Sequence, residues 1–589
     1  MVMAQLPQDG IVTAADYYER LCEQYAENEV LVSVHTKERY TYAQLDSYAN
    51  RVAQWALAQD VQPGETVALM MENCPMFIAT WLGLSKIAAK IACINTNLSG
   101  ANLTHALTVA SCDRAIVSTA YKARIQADAD ASTVSLRSLW WAAGSGLRDD
   151  DLAISCDSCI DLAIAVSSSA RPDRSIRASV LSTDALFYMY TSGTTGRSKA
   201  AVFSHYRFIG AGVTWAQKMQ LSSADNYYCA LPLYHGNGGV VAVSAAMRAG
   251  ATLVLREKFS VRGFLPDIRK HGCTATIYIG ELWRYLHNSP RKPDDAQNCL
   301  RVAAGNGLRG DIWEAVVERF GVERIVEHYG QTEMPSAHPM INTHGVAGSC
   351  GFIPPVVRGE CGTEKLIRWD VEAECVIRNG SGFAVECAED EMGEAVVQLD
   401  TETYSGYSSK ESTDKVVYRD LFEKGDCWYH SGDLLKVNSE GYFFFVDRIG
   451  DTFRWKGENV ATTEVAEALC EVPAVLEANV YGVQMASTEG KAGMGAILLS
   501  DGQQFEAAAV YRQCASLPAY ARPVFLRLRD GESLKTSTFK FVKHAYQKQG
   551  FDPRTVGGDK LLWRCDRSKT FLPLDNAAYA AIQRGEVRF

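Results

Sequence analysis

The chain of 589 residues is longer than one hydrophobic core usually supports, so we expect two or more domains. Its composition, with 47% hydrophobic and 22% charged residues, is that of an ordinary soluble globular protein. A net charge of −10, without a basic face or tail in the sequence, argues against a general nucleic-acid-binding role.

Cysteine use and the first residues indicate the compartment. The 17 cysteines follow no framework spacing, and the N-terminus holds no basic stretch followed by an apolar one. We therefore expect an intracellular, reduced compartment, cytoplasmic or peripheral on an organelle membrane, and interpret the CxxC of Cys156 and Cys159 as incidental. No apolar window of about 20 residues predicts a transmembrane helix. The last four residues are not a Ser-Lys-Leu address, although a peroxisomal location stays open.

The first third of the chain alternates helix and strand patterns. Capping boxes at Thr13-x-x-Asp16 and Thr41-x-x-Gln44 predict the starts of two helices. Further elements are expected as strands over 30–34, 66–71, 91–95 and 114–118, and as helices after 73 and after 100. This alternation predicts a mainly parallel α/β sheet. Ser167–Ser182 is polar and weakly patterned, which is typical of a linking loop.

The next segment is the most informative one. A strand over 185–190 leads into the loop TSGTTGRSK and a second strand over 200–203, after which Ser204 is expected to cap a helix. Glycines allow close backbone approach, so N–H groups, hydroxyls and Lys199 can converge on phosphate oxygens. The loop is not a Walker loop, because only two residues separate Gly193 and Gly196. Taken alone, a Ser/Thr/Gly surface loop is the commoner explanation.

Several short blocks follow. LPLYHGNGG places His235 after an apolar run and before an expected flexible tip, and GNGLR precedes a helix predicted over 311–320. Next come the blocks HYGQTE and YHSGDL, followed by the residues around Arg448 and 454–459. In isolation each fits a turn, a structurally bonded histidine or a surface ion pair. From Glu464 a smaller α/β unit begins, and TSTFK with Lys540 follows it.

In this order, the blocks T-S-G-T-T-G-x-x-K and Y-G-x-T-E resemble the adenylate-forming (AMP-binding) enzyme superfamily. The stretch from Arg419 to Glu467, together with TSTFKFVK, is similar to its fatty acid transport protein and very-long-chain acyl-CoA synthetase branch. This resemblance implies an α/β protein: a large N-terminal adenylate-forming domain with mixed sheets over 1–449, and a small mobile α+β C-terminal lid domain over 451–589. The hinge would lie near Gly450.

The resemblance also implies roles for particular residues. Lys540, Glu333, Thr191 and Lys199 would be catalytic, and Glu333 would also hold Mg²⁺. The nucleotide-binding set would comprise Thr191, Ser192, Gly193, Thr194, Thr195, Gly196, Lys199, Gly305, Gly307, Tyr329, Gly330, Thr332, Asp433, Arg448, Lys456 and Gly457. His235 would lie on the substrate side, beside the carboxylate and acyl pocket.

The implied activity is that of an ATP-dependent acyl-CoA ligase acting on a long or very long fatty acid with Mg²⁺ and coenzyme A. A secondary-metabolite ligase for an unusual carboxylic acid is the alternative, and a fatty acid transporter is the alternative of another class. The hydrophobic N-terminal anchor expected of the transport proteins is missing, so we expect ligase chemistry rather than membrane residence. Peripheral membrane contact and oligomeric state stay open.

Overall fold

The protein is represented by a computed structural model that describes residues 10–129, 136–142, 160–191, 198–335, 340–361, 363–371, 373–456, 458–485, 490–500, 502–529, 531, 543–587 and 589. The described residues fall into two units. The first unit lies within Met1–Ala347 and Leu399–Val417, and the second within Gly348–Gln398 and Tyr418–Phe589. The chain therefore leaves the first unit, returns to it once and leaves again. The predicted division at Gly450 stays a prediction.

Seventeen α-helices lie in the described part of the chain. They are α1 (Ala14–Tyr25), α2 (Tyr42–Ala58), α3 (Pro75–Lys86), α4 (Gly100–Val109), α5 (Lys122–Ala129), α6 (Ile160–Ala165), α7 (His205–Met219), α8 (Val243–Ala249), α9 (Val261–Lys270), α10 (Gly280–Asn288), α11 (Gly310–Phe320), α12 (Pro355–Cys361), α13 (Lys410–Asp414), α14 (Thr462–Cys470), α15 (Ala507–Cys514), α16 (His544–Gln549) and α17 (Asn576–Gln583). None of these described helices has the length and hydropathy that a membrane span needs.

The strands of the same residues are β1 (Glu29–Ser33), β2 (Arg39–Thr41), β3 (Thr66–Met70), β4 (Lys90–Cys93), β5 (Arg114–Ser118), β6 (Ser138–Ala142), β7 (Ala185–Thr191), β8 (Lys199–Ser204), β9 (Asn226–Cys229), β10 (Thr252–Leu255), β11 (Ala275–Ile279), β12 (Val302–Asn306), β13 (Arg324–Tyr329), β14 (Met340–Asn342), β15 (Ser349–Phe352), β16 (Glu364–Ile367), β17 (Trp369–Asp370), β18 (Cys375–Val376), β19 (Gly393–Gln398), β20 (Val417–Arg419), β21 (Cys427–Val437), β22 (Tyr442–Arg448), β23 (Phe453–Trp455), β24 (Glu458–Val460), β25 (Val475–Gln484), β26 (Lys491–Leu499), β27 (Phe525–Leu528), β28 (Lys560–Cys565) and β29 (Thr570–Pro573).

Local sequence signals set several helix starts. The side chains of Thr13 and Thr41 each accept the N–H three residues on, and the residue there returns a bond to the cap backbone. Ser204 accepts the N–H of Arg207 and begins α7. A cap satisfies N–H groups that have no partner within the helix, which explains why these starts were predicted correctly.

The first unit contains two mainly parallel sheets. One has the strand order β14-β13-β12-β11-β9-β10-β1-β2, and the other has the order β6-β5-β3-β4-β7-β8. In the first sheet β2 and β14 run antiparallel to their neighbours, and in the second β8 does so. The prediction of a mainly parallel α/β arrangement is confirmed.

The second unit is built on antiparallel pairing. One sheet has the order β15-β22-β21-β19-β16, with β20 on β21, and another has the order β25-β26-β27-β28-β29. Helix α14 packs on β25, and its apolar residues join a core that includes Leu469, Tyr481 and Phe525. The described cysteines of both units are free thiols, and more than half are buried, as expected of small hydrophobes.

A group of buried charges connects α1, α2 and α3 with the segment predicted as a linking loop. We call Asp16, Glu19, Asp46, Lys86 and Arg177 the ion-pair cluster. Lys86 donates to Glu19 at 2.8 Å and to Asp46 at 2.7 Å. Arg177 lies in a 3₁₀ turn, and its guanidinium donates to Asp16 at 3.0 Å and to Glu19 at 2.6 Å. The linking segment thus carries a buried cation that its weak pattern did not predict.

Candidate active site

The predicted phosphate-binding loop joins two antiparallel strands. β7 and β8 pair with Thr191 opposite Lys199, so these two residues are neighbours at the loop end of the hairpin. Ser192, Gly193, Thr194, Thr195 and Gly196, predicted to cradle phosphates, lie outside the described residues. The hairpin places a hydroxyl and an ammonium group at the base of that loop.

A later part of the chain completes this edge of the sheet. Strand β8 is an edge strand, and residues 406–408 of the segment Leu399–Val417 pair with it. Ala201 forms a β-bridge with Tyr407. The N–H of Val202 donates to the Gly406 carbonyl at 2.9 Å, and the N–H of Ser408 donates to the Ala200 carbonyl at 2.9 Å. We call Leu399–Val417 the returning segment.

Tyr407 of the returning segment contacts two predicted catalytic residues. Its hydroxyl donates to Oε1 of Glu333, and the Lys199 ammonium lies 5.0 Å from its ring centroid. Burial, and then the Glu333 charge, raise the pKa of Tyr407, so the phenol is neutral at physiological pH. Thr191, Lys199, Glu333 and Tyr407, here called the site cluster, therefore converge in the first unit. Tyr407 was not predicted, because it lies in a polar segment without periodicity.

Arg207 fixes the loop that carries Thr332 and Glu333. Its guanidinium donates to the carbonyls of Thr332 at 2.7 Å and Met334 at 3.1 Å. The same group lies 4.2 Å from the ring centroid of Phe203 on β8. Arg207 was not among the predicted site residues, because its partners are distant in sequence. It connects the start of α7 with the predicted metal-binding loop.

Gly305 and Gly307, predicted to bind the nucleotide, lie beside the HYGQTE block. Strands β12 and β13 pair in parallel, with Gly305 opposite Glu327. The ring of His328 bonds the Gly305 carbonyl at 2.7 Å, and burial lowers the pKa of His328 to about 4. Tyr329 is buried, whereas Gly330 is exposed. These contacts hold the two predicted nucleotide-binding blocks together.

Glu327 is a buried carboxyl below the Gly307 turn. It accepts the N–H groups of Gly307 and Leu308, the latter at 3.1 Å, and the hydroxyl of Tyr278. Burial raises the pKa of Glu327 to about 8, against the lowering effect of these three donors. Gly307 has a φ of +83°, a conformation that glycine adopts without strain. The turn shape therefore depends on both the glycine and the carboxyl.

The prediction of a flexible tip after His235 is wrong. Gly236–Ala242 forms a π-helical turn, in which Gly238 and Gly239 are buried. A Cβ on Gly239 would lie 1.9 Å from the Leu233 carbonyl oxygen, so glycine serves close packing here rather than mobility. Asn237 donates to Asn306 at 2.7 Å, which brings the His235 block to the glycine block.

The second unit contains Asp433 and Arg448. They are directly opposite on β21 and β22, and their charged groups lie 3.8 Å apart. Asp433 is buried and Arg448 is exposed. The fully buried Glu394 supports the turn before Asp433, since it accepts the Gly432 N–H at 3.1 Å and the Tyr418 hydroxyl at 3.0 Å. The turn that leads to the aspartate is thus held by a buried carboxylate of the neighbouring strand β19.

Residues on both sides of the predicted hinge are hydrogen-bonded to each other. Asp447 accepts the N–H of Thr462 and its hydroxyl, the latter at 3.0 Å. The ammonium of Lys543 donates to the Thr462 hydroxyl at 2.7 Å and lies 3.0 Å from the Asp451 carboxylate. A Cβ on Gly450 would meet nothing within 4 Å. Packing therefore does not require glycine at this position, and the hinge role of Gly450 stays a prediction.

Of the remaining predicted residues, the structure describes Lys456 but not Lys540 or Gly457. Lys456 lies at the β23–β24 turn and donates to the Phe589 carbonyl. Lys540, Gly457, Cys156 and Cys159 lie outside the described residues.

The Glu333 carboxylate is the predicted ligand for Mg²⁺. No group of three or more His, Cys, Asp or Glu side chains suited to a metal lies among the described residues. Glu333 is half-buried, and its Oε1 atom accepts from Tyr407. A lone carboxylate fits Mg²⁺ where nucleotide phosphates and water supply the other oxygens, because this ion keeps several waters and binds through one or two carboxylates. The residues present therefore fit the ion as part of a metal–nucleotide complex.

Comparisons with known proteins extend along most of the chain. The sequence model of the AMP-binding enzyme family matches residues 18–363, and that of the AMP-binding enzyme C-terminal domain matches residues 464–540. Long-chain fatty acid transport protein 1 of Homo sapiens is 36% identical over 577 residues, which cover 96% of this chain and 87% of that protein. Medium/long-chain-fatty-acid–CoA ligase FadD6 of Mycobacterium tuberculosis is 34% identical over 517 residues, covering 87% and 82%.

Solved structures show the same fold at lower identity. ATP-bound MatB from Rhodopseudomonas palustris matches with a TM-score of 0.73 at 21% identity, covering 91% of this chain and 98% of that one. The anthranilate CoA ligase AuaEII with anthranoyl-AMP matches with a TM-score of 0.74 at 21% identity, covering 90% and 95%. The α/β fold with a large mixed-sheet N-terminal domain and a smaller C-terminal domain is thereby confirmed. The first family model alone covers more than half of this chain, so the chain belongs to the AMP-binding enzyme family.

Proposed function

We propose that this protein is an ATP-dependent acyl-CoA ligase that activates long-chain fatty acids. The observation that carries the proposal is the site cluster, in which Lys199, Thr191 and Glu333 converge through Tyr407. Relatives named as fatty acid transport proteins and as a fatty-acid–CoA ligase support the choice of acid.

The chemistry needs a carboxylate to become a good acyl donor. Its own leaving group would be oxide, so attack on the α-phosphorus of ATP first forms a mixed anhydride with AMP and releases pyrophosphate. This step concentrates negative charge, and fixed positive groups and donors stabilise it. Mg²⁺, when bound at Glu333 with the nucleotide, would neutralise part of the phosphate charge.

The chain's own residues have separate tasks in this proposal. Lys199 and Thr191 bind the departing phosphates, and Lys540 contacts both the carboxylate and the α-phosphate. The turn at Gly307 and the ring of Tyr329 enclose the adenine. Asp433 accepts from the ribose hydroxyls, and Arg448 reaches the ribose or a phosphate.

In the second half-reaction, the coenzyme A thiolate attacks the acyl adenylate and AMP leaves. We propose that the small domain rotates about Gly450 between the two steps, withdrawing Lys540. In such a rotation the bonds from Asp447 to Thr462 would have to change, because these two residues lie on opposite sides of Gly450.

An acid-dependent ATP–pyrophosphate exchange panel tests the proposal. Fatty acids of graded chain length and decorated or aromatic acids are supplied separately, with and without coenzyme A. Exchange that peaks with long-chain acids supports the proposed substrate. A peak with a short or decorated acid would instead favour a ligase for an unusual acid, and no exchange with any acid would overturn ligase function.

The half-reactions are then separated with Lys540→Ala. We expect loss of exchange by about 10²-fold or more, as when a key transition-state donor is removed, while thioester formation from supplied acyl adenylate is retained. An equal fall in both half-reactions contradicts the assignment of Lys540 to the first step.

A further inference from the structure

We infer that Tyr407 is a positioning residue for acyl adenylate formation, which keeps the Glu333 carboxylate and the Lys199 ammonium apart and oriented. The inference rests on the proposed function. It concerns a residue outside every predicted block, supplied by the returning segment.

The main chain fixes the position of the Tyr407 side chain. Its backbone bridges to Ala201 on β8, and its N–H donates to the Thr413 hydroxyl at 2.9 Å. Gly406 before it has a φ of +56°, and a Cβ there would lie 2.5 Å from Thr413. With 6% of its surface exposed, Tyr407 is packed in one place. The phenol is therefore presented to Glu333 by a rigid support.

The hydroxyl gives Glu333 a neutral hydrogen-bond donor. A lysine or arginine at this point would bind the carboxylate as an ion pair and compete with a metal ion for it. A phenol occupies one oxygen, restricts rotation of the carboxylate and leaves its negative charge in place. Glu333 makes no ion pair with the described cations, so its charge is available to the metal–nucleotide complex.

The ring has a similar effect on Lys199. An ammonium group at 5.0 Å from an aromatic centroid is held by the ring quadrupole without being neutralised. Lys199 likewise makes no ion pair with a described carboxylate. If Lys199 and Glu333 paired directly, neither charge would serve the phosphates. Tyr407 lies in contact with both and so separates two groups that attract each other.

The test uses two variants and one matched control. Tyr407→Phe removes the hydroxyl and keeps the ring, and Tyr407→Leu removes both. Tyr228→Phe is the control, because Tyr228 donates to the Asp267 carboxylate at 3.1 Å elsewhere in the first unit. Each variant is measured for Mg²⁺-dependent binding of a fluorescent ATP analogue, for exchange, and for thioester formation from supplied acyl adenylate.

We expect Tyr407→Phe to raise the Mg²⁺ concentration for half-maximal nucleotide binding about 3- to 10-fold and to slow exchange by a similar factor, because Glu333 loses one hydrogen bond of typical net strength. Tyr407→Leu should slow exchange further, while thioester formation and KM for the acid change less than twofold. Tyr228→Phe should match the wild type in all three.

An unchanged Mg²⁺ dependence and exchange rate in Tyr407→Phe overturns the inference, as does an equal slowing of both half-reactions. If Tyr407→Leu fails to fold, the near-isosteric Phe variant decides alone. The wild-type panel distinguishes failure of the proposed function from failure of this inference. Absence of exchange in the wild type overturns the proposed function. Normal exchange in both the wild type and Tyr407→Phe overturns only the positioning role.

Discussion

Two lysines of the first unit occupy opposite electrostatic settings. Lys86 in the ion-pair cluster is 0% exposed and lies within 3 Å of two carboxylates, at 2.8 Å and 2.7 Å. Lys199 in the site cluster is half-buried and lies over the Tyr407 ring. One positive charge is cancelled by its surroundings, and the other is held without being cancelled.

The difference separates a structural charge from a functional one. Removing a buried cation takes a partner from carboxylates that lie in a medium of low dielectric constant, so the cost falls on folding. Removing a cation that has no paired carboxylate costs the fold little, and its loss falls on whatever anion it was meant to bind.

Lys86→Met should lower the free energy of unfolding by about 3–5 kcal/mol, because Glu19 and Asp46 keep their charges without a shared partner. Urea denaturation measures this value. The folded fraction should retain its rate of acyl adenylate formation. If the free energy of unfolding fell by less than about 1 kcal/mol, Lys86 would no longer differ from Lys199 as a structural charge.

Lys199→Met should raise the barrier to acyl adenylate formation by about 2.7–4 kcal/mol, a 10²- to 10³-fold loss, as for other preorganised groups that meet developing charge. ATP–pyrophosphate exchange provides the measurement. The free energy of unfolding should change by less than about 1 kcal/mol. Lys218→Met, an exposed lysine on α7, is the control and should leave both quantities unchanged. A stability loss equal to that of Lys86→Met contradicts the functional assignment.

Glu327 is an intermediate case, a buried carboxyl with neutral donors only. Its pKa of about 8 in the folded state is above the ordinary 4.5, so the folded state takes up the proton more readily. Its contribution to stability is present below about pH 4.5 and is lost as the pH rises to about 8. Relative to Glu327→Gln, which does not ionise, the wild type should lose roughly 1–3 kcal/mol between pH 5 and pH 8.

Urea denaturation at several pH values checks this trend. Tyr278→Phe is the companion variant, because the Tyr278 hydroxyl lowers the pKa of Glu327. Without it the loss of stability should continue to higher pH. A constant difference between wild type and Glu327→Gln across the range contradicts the raised pKa.

Arg20→Met should have the smallest effect. Arg20 and Glu23 form an exposed pair one helical turn apart, with 71% and 54% of their side chains exposed. Such pairs contribute about 0.2–0.5 kcal/mol, and salt weakens them. Denaturation at low and high salt measures the change. A fall in the free energy of unfolding above about 1 kcal/mol would mean that exposure does not distinguish this surface ion pair from the buried ion pairs of Lys86.

The sequence predicted features whose physics is local. Thr13, Thr41 and Ser204 cap helices through residues three positions away, so four consecutive residues contain the whole interaction. Alternating strands and helices predicted parallel sheets for a similar reason, since a helix between two strands is the crossover connection that parallel strands need. The positions of Thr191 and Lys199 at the hairpin end followed from the two flanking strands.

Features that depend on distant partners could not be predicted. Arg177 meets Glu19 across 158 residues, and Tyr407 meets Glu333 across 74. Neither residue lies in a periodic pattern, because its role is set by the fold around it rather than by its neighbours. The glycines after His235 were misjudged for the same reason, since the Leu233 carbonyl that excludes a side chain is visible only in three dimensions.

The returning segment also sets an order of events during synthesis. Residues 399–417 cover the β8 edge, yet they leave the ribosome only after residues 348–398, which belong to the other unit. Until then a nascent first unit presents the unpaired N–H and C=O groups of β8, which can pair with another chain. A fragment ending near residue 347 would keep that edge permanently and should aggregate, whereas one ending after residue 417 can close it.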